Sequence, residues 1–421
     1  MQRMPSADGA CYTGAMLKRS LISISAATRW RRPILALMLM AVANQFGFAT
    51  WNALHTNFAI EVVGFGGQEM GTLHTLREIP GFLSFAAVFF LLIMREQSLG
   101  LLSLLAVGIG VALTGFFPTA PGFYTTTMIK SLGFHYYETV NQSLALQWFE
   151  KSRASADIGK VVSAASFATI AAYGVIFFTW KFLALDYKFV FLAGGLLAIA
   201  IAIFTYFWFP YFREEVPQRR QLVLRRRYWL YYAITFMGGA RRQIFIIFAV
   251  LLMVQKFNYG VSEITLLMLA NAVINTLIAP KLGSLIGKWG DRNTMIVENI
   301  GLIVIFLFYA LASSPWVAAG LYVLDNAFFF LAIAHRTYFQ KIADPADIAP
   351  TAGVAFSINH IAAVTIPIPL GLLWDVNPAA VFIIGSAMAG VALLLSFLVP
   401  RDPEPGREVA WESRRRLAPA Q

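Results

Sequence analysis

Twelve stretches of this chain are apolar over a length that reaches across a lipid bilayer, and nothing else in the sequence restricts its fold so severely. A helical span needs about 20 mostly apolar residues. In hydrocarbon every backbone N–H and C=O must find its partner within the protein, so runs of this length are expected as helices. They fall at 33–56, 67–93, 98–116, 121–147, 158–180, 187–210, 229–255, 260–281, 294–313, 316–341, 349–374 and 378–400. The composition agrees: 58% of the 421 residues are apolar and 13% are charged, where a soluble domain has roughly 45–50% and 25%. The expectation is an all-α membrane protein. The first run starts after 32 residues, is too long for a signal-peptide core and lacks a small-residue cleavage site, so it is expected to stay as a span.

The lysines and arginines set the orientation. If the N-terminus lies in the cytoplasm and the spans alternate, 25 of the 33 Lys and Arg fall on that side. Only Lys181, Lys188 and Lys256 fall on the other, and Arg77, Lys130, Arg241, Arg242 and Arg336 lie inside spans. Such an excess marks the cytoplasmic face. The expected location is the cytoplasmic (inner) membrane, with both termini in the cytoplasm. The net charge of +11 is then a flank for anionic lipid, and no nucleic-acid partner is expected. A single cysteine, Cys11, excludes an intrachain disulfide and a cysteine metal cluster. The expected division is a cytoplasmic segment 1–32, a six-helix bundle 33–210, a charged linker 211–228, a second six-helix bundle 229–400 and a loose cytoplasmic tail 401–421.

The polar residues are unevenly spread. The cores of the third, sixth and twelfth segments carry no charge or amide, and the ninth has only Glu298 and Asn299 near its start. The costly side chains collect elsewhere. The first segment has Asn44, Gln45, Asn52 and His55, and the second has His74, Arg77 and Glu78. The fourth has Lys130, His135, Glu138, Asn141 and Gln142, and the seventh has Arg241, Arg242 and Gln243. The eighth has Asn271 and Asn275, the tenth Asp325, Asn326, His335 and Arg336, and the eleventh Asn359 and His360. At 100° per residue the polar groups of the first segment fall within about 100° of arc, and those of the fourth within about 140°. Polar groups in a bilayer face protein or water. Every third helix is therefore expected to face lipid, while the others surround a wet pathway.

Two six-helix halves, a basic central loop and a three-helix period resemble the major facilitator superfamily of secondary transporters. Residues 283–292, GSLIGKWGDR, resemble the weaker copy of that family's loop motif G-x-L-x-D-x-x-G-R-K: Gly283, Leu285 and Gly290 match. Gly287 stands at the acidic position, and Asp291 and Arg292 follow the second glycine. The antiporter pattern GxxxGPxxGG is absent from the fifth segment, which instead spaces Ala164, Ala168 and Ala172 for close packing. The resemblance covers about 33–400. It implies a pseudo-symmetric fold around a central cavity lined by helices 1, 4, 7 and 10, an interface built from helices 2, 5, 8 and 11, and a mostly monomeric protein working by alternating access.

The candidate substrate-binding residues are Arg241, Arg242, Lys130, His135, Asn52, Asn326 and Asn359. Arg241 lies roughly 18 Å into its span, where a charge costs at least about 2.5–3.5 kcal/mol. A guanidinium there either holds an anionic group of the substrate or locks its helix to Asp325 or Glu138. Lys130, His135 and Glu138 share a face, and His135 and Glu138 are close enough in sequence to touch. They are read either as substrate contact with proton carriage or as a structural salt bridge. Glu138, Asp325 and Glu78 are the candidates for proton coupling. Arg77 and Glu78, adjacent in sequence, are expected to pair across helices rather than with each other. Gly283, Gly290, Asp291 and Arg292 are the candidates for a gating loop.

No catalytic residue, cofactor or metal is expected. The chain has no G-x-x-x-x-G-K-[ST] phosphate loop and no serine or cysteine hydrolase motif, so it is not expected to be an enzyme. The five histidines show no spacing that groups three ligands, and helix–helix hydrogen bonding is their expected role. Cations exceed carboxylates within the spans, which favours an anionic cargo. The expected function is a proton-coupled secondary transporter of a small organic anion, in contact with its solute and with membrane lipid. The alternatives are an efflux pump for amphipathic compounds, to which the aromatic and methionine content would be suited, and a transporter-like receptor or assembly protein that moves nothing.

Overall fold

The computed structural model describes residues 32–149, 154–212, 224–344 and 347–411. The N-terminal segment up to residue 31, with Cys11, lies outside the described residues, as do 213–223 of the linker and 412–421 of the tail. The helices in chain order are α1 (Pro33–Val63), α2 (Gly67–Phe82, resumed as Ala87–Phe90), α3 (Glu96–Thr114), α4 (Ala120–Trp148), α5 (Ala154–Leu183) and α6 (Tyr187–Trp208). The second half has α7 (Arg226–Phe257), α8 (Val261–Trp289), α9 (Asp291–Leu311), α10 (Pro315–Ile342), α11 (Ile348–Thr365, resumed as Pro367–Val376) and α12 (Pro378–Phe397). Ten are long and apolar enough to cross a membrane. The two that fall short of that measure are α2 and α4, which carry His74, Arg77 and Glu78, and Lys130, His135 and Glu138.

Several helices interrupt their own ladders. α2 tightens into a 3₁₀ turn at Leu83–Ala86, just beyond Pro80 and Gly81. α10 tightens at Phe330–Ala332, one turn past Asp325 and Asn326. α11 breaks at Ile366, where Pro367 starts a new helix without needing an N–H. α7 widens into a π-helical turn at Ile244–Ala249. The helix is regular through Gly238 and Gly239, and the disturbance follows Arg241 and Arg242.

The halves meet through α2 against α11 and α5 against α8, the interface that the resemblance implied. The apolar core has three parts. One large cluster takes residues from both halves, from Leu54 and Phe58 of α1 to Phe248 and Met253 of α7 and Trp374 of α11. It lies toward the face opposite the basic loops. On the basic side each half keeps its own core: Met40, Leu104, Tyr137 and Leu144 in the first, Tyr228, Tyr231, Tyr338 and Phe339 in the second. The halves are therefore fused at one face and separate at the other.

Two expectations need correction. The ninth segment is not purely a lipid-facing support, because Glu298 and Asn299 of α9 are buried and turned inward. The tail is not loose as far as residue 411. Tyr338 donates to the carbonyl of Glu408 at 2.6 Å, Ala410 N–H donates to Leu398 O at 2.7 Å, Val409 is buried, and Trp411 stacks on Trp229. The apolar Val409 and Trp411 find a core to join, which the charge of the tail conceals.

Candidate functional site

A cavity of about 750 Å³ lies between the halves, lined from α1 by Phe48 and Asn52, from α2 by Arg77 and from α5 by Thr169 and Tyr173. The second half contributes Phe245, Met268, Asn271, Asn275, Tyr322 and Asn326. Asn52 reaches Tyr173 Oη at 3.1 Å and Met268 Sδ at 3.5 Å, the latter across the interface. Asn326 donates to Asn275 Oδ1 at 2.7 Å. The wall is thus a set of amides and phenols set among aromatic faces, with Arg77 as its charged group. A smaller cavity of about 300 Å³ shares Val162, Ser166 and Thr169 with it and is lined also by Asn44, Gln45, Glu138 and Asn141.

The face opposite the basic loops is shut by hydrogen bonds between the halves. Asn57 donates to Tyr259 O at 2.8 Å, Gly67 and Gln68 donate backbone N–H to the carboxylate of Asp375 at 2.6 and 2.9 Å, and Thr75 donates to Val364 O at 3.0 Å. Gly67 and Gly71 let α2 lie against the backbone of Gly371 and Pro367.

The first half contributes a buried charged group. Arg77 and Glu78 pair with one another, contrary to the expectation that each pairs across helices. The long guanidinium arm folds back to the neighbouring carboxylate, and both side chains are buried. Ser131 of α4 caps the Arg77 carbonyl. Lys130 is 1% exposed, and its ammonium contacts three ring faces: Trp51 at 4.3 Å, Phe48 at 4.6 Å and Phe134 at 5.4 Å. Desolvated cation–π contacts of this kind are worth about 2 kcal/mol or more. Glu138 does not meet His135; it accepts from Asn44 at 3.2 Å and faces the smaller cavity. His135 instead turns to Glu78 and His360 of α11, and one ligand atom from each of the three lies within 4.8 Å of the others.

In the second half Arg241 pairs with Glu298 of α9, and His335 Nε2 lies 3.2 Å from the other Glu298 oxygen. The expected partners, Asp325 and Glu138, are not the ones found. Arg242 lies near enough to Glu78 and Arg77 to feel their charges, whereas Arg241 pairs with Glu298. Asp325 is buried, and its Oδ2 has no hydrogen-bond donor among the described residues. Asn359 packs under Gly239 where α7 and α11 cross, away from the cavity wall. Arg336 is exposed on the basic side.

The loop motif acts within the second half. Gly290 takes φ +76°, which a side chain resists, and so starts α9 abruptly. Asp291 then accepts from Thr337 at 2.6 Å and pairs with Lys341 at 2.7 Å, tying α9 to the end of α10. Gly283 lies within α8. Arg292 is partly exposed and makes no ion pair among the described residues.

Outside the spans, Asp347 closes a clamp at the basic face. Arg225 takes it with two hydrogen bonds of 3.0 Å, and Tyr228 donates at 3.2 Å. The Arg225 hydrogen bond, ahead of burial, which acts the other way, holds the Asp347 carboxyl below the usual range. Glu298 and the amides Asn271 and Asn275 stood out in the sequence only as polar residues without an assigned role, and Asp347 did not stand out at all. Only the amides carried a usable signal, four residues apart on one face of α8.

A family model described as Major Facilitator Superfamily matches residues 33–367. No curated protein matches the chain. Among solved structures, the nucleoside transporter NupG superposes with a TM-score of 0.69 at 15% identity, covering 87% of this chain and 97% of that one. A bacterial homologue of the human lysosomal transporter Spinster, inward-facing and occupied, gives 0.68 at 14%, covering 87% and 95%. A POT family transporter in complex with 5-aminolevulinic acid gives 0.70 at 10%, covering 86% and 94%. At these identities the likeness is one of fold.

Proposed function

This chain belongs to the Major Facilitator Superfamily, and from that premise we propose that it is a proton-coupled secondary transporter carrying a small organic anion by alternating access. The observation that carries the reading is the cavity of about 750 Å³ between halves that are joined at one face and separate at the other. A solute in it touches both halves at once, so rocking of the halves moves it from one side to the other. Arg77 on the wall and Arg242 near it attract a carboxylate or phosphate. The amides of Asn52, Asn271 and Asn326 orient its polar groups, and the tyrosine and phenylalanine faces receive its apolar part. Glu138 and Asp325 carry the coupled proton. Neither has an ion-pair partner among the described residues, and an intramembrane carboxyl without one is a functional candidate.

A second reading is favoured by the amides themselves. Four asparagines and two tyrosines recognise a neutral, hydrogen-bonding ring as well as an anion, and NupG is named for nucleosides. The test is uptake into proteoliposomes with an imposed proton gradient, comparing labelled organic anions with labelled nucleosides. Anion accumulation that falls in Arg77→Gln supports the first reading, and accumulation of nucleosides alone supports the second. Glu138→Gln and Asp325→Asn are expected to lose gradient-driven accumulation and keep counterflow. Unchanged accumulation in both removes these carboxyls from coupling.

A further inference from the structure

We propose that Glu78, His135 and His360 form a transition-metal site of the Zn²⁺ class that bridges the two halves and holds them in the arrangement seen here. The three residues come from α2, α4 and α11, two helices of the first half and one of the second. All are buried, 4%, 6% and 4% exposed, and one ligand atom of each lies within 4.8 Å of the others.

The hydrogen bonding assigns their roles. His360 Nδ1 lies 2.9 Å from the carbonyl of Phe356. A carbonyl only accepts, so Nδ1 bears the proton and the Nε2 lone pair points away from it. That lone pair faces Glu78 Oε2 at 3.6 Å. Two acceptors confront each other, and a cation between them makes the arrangement attractive. An imidazole that gives its other N–H to a backbone carbonyl is the ordinary support for a metal ligand. Glu78 is divided in the same sense: Oε1 is taken by Arg77 and Oε2 is left toward the histidines.

Gly81 completes the site by its lack of a side chain. A Cβ there would lie 2.7 Å from His135 Cε1 and closer still to the His360 ring. One turn of α2 thus presents a carboxylate at 78 and a gap at 81 into which both imidazoles fit.

Ligand distances of about 2.0–2.1 Å in a tetrahedral Zn²⁺ site place ligand atoms about 3.4 Å apart. His360 and Glu78 stand at 3.6 Å already, and a separation at the 4.8 Å limit of the group must close by about 1.4 Å. Two imidazoles and one carboxylate suit Zn²⁺ or its neighbours rather than Mg²⁺ or Ca²⁺. Arg77 and Arg242 oppose a divalent charge, which makes the affinity moderate and Arg242 its regulator. Given alternating access, opening of the shut face separates α2 from α11 and draws His360 away from Glu78 and His135. The bound ion resists that step, so it inhibits transport.

The test uses the purified full chain and Zn²⁺, with Co²⁺ as an optical probe. One Zn²⁺ is expected per chain, and Co²⁺ is expected to show the visible absorption of a low-symmetry four-coordinate site. Glu78→Gln, His135→Gln, His360→Gln and Gly81→Ala should each weaken binding at least tenfold, His335→Gln should not, and Arg242→Gln should tighten it. Because a deletion can also unfold the protein, the double variant H135C/H360C gives a gain instead: its preference should move from Zn²⁺ to Cd²⁺, since thiolates are the softer ligands. Metal affinity unchanged in all three ligand variants, or no shift toward Cd²⁺ in the double cysteine, overturns the site. These readouts need no substrate, so they stand apart from the proposed cargo. In proteoliposomes micromolar Zn²⁺ should slow exchange, EDTA should restore it, and His360→Gln should be insensitive. Binding without inhibition overturns the latch.

Discussion

Arg241 and Glu298 are buried together, and that makes their energetics asymmetric. Deleting one partner strands a charge where water does not reach, which costs about 3–5 kcal/mol, whereas replacing both with apolar groups is often neutral. Glu298→Gln should therefore lower the apparent melting temperature of purified protein sharply, and Arg241→Met with Glu298→Leu should recover much of the loss; a double variant worse than the single would show that the pair is a net stabiliser. At the surface the Asp347 clamp gives a pH signature. Its carboxyl is held low by Arg225, so it contributes stability above the unfolded carboxylate range near pH 4 and loses it as pH falls further. Asp347→Asn is expected to melt a few degrees below wild type at pH 7, with the gap closing below about pH 4. A gap independent of pH would assign the effect to packing. That Arg241 needed a partner was legible, because a guanidinium deep in a span cannot stand alone. Which partner was not, since Glu298 lies 57 residues away on a helix that otherwise reads as inert, and no spacing rule connects them.

Four of the helices that bear candidate residues have interrupted ladders. α2, α7, α10 and α11 each switch geometry within a turn or two of a buried polar residue. Pro80 and Pro367 advertise two of these breaks in the sequence. The π turn after Gln243 has no such marker in the sequence. Close approach was legible in the same partial way. The glycines at 67 and 71 were visible, but that they meet Gly371 and Pro367 required the fold. Gly71→Leu drives a side chain into the α11 backbone, and is expected to abolish transport in a protein that still purifies as a monodisperse species. Transport at the wild-type rate would mean that α2 and α11 need not approach so closely. The docked tail was illegible for another reason: its charges predict solvation, whereas Val409 and Trp411 anchor it together with hydrogen bonds at the backbone of Glu408 and Ala410, which no sequence pattern announces.

At the scale of the molecule, the polar census anticipated that intramembrane amides and charges turn away from lipid, but not the division of labour: α5 and α8 line the large cavity along with α1, α2, α7 and α10, and α4 reaches only the smaller one. The census also erred for α3, whose apolar faces serve packing rather than lipid: two-thirds of that span is buried, more than in α5 or α8. What no census contains is the state. The core shared by both halves near one face, the paired cores near the other and the hydrogen bonds from Asn57 to Tyr259 and from Asp375 to α2 define one that is closed opposite the basic loops. If alternating access follows, fixing that closed face fixes the cavity toward the basic side. In a background with Cys11→Ser, cysteines at Asn57 and Tyr259 can be joined by a short bifunctional thiol reagent, and Ser166→Cys on the cavity wall reports access. Before joining, a membrane-impermeant thiol reagent should label position 166 from either side as the halves rock. After joining, labelling should persist from the basic side, vanish from the other and be accompanied by loss of uptake. Equal labelling from both sides after joining would mean that this contact is no gate and that the halves move by another route.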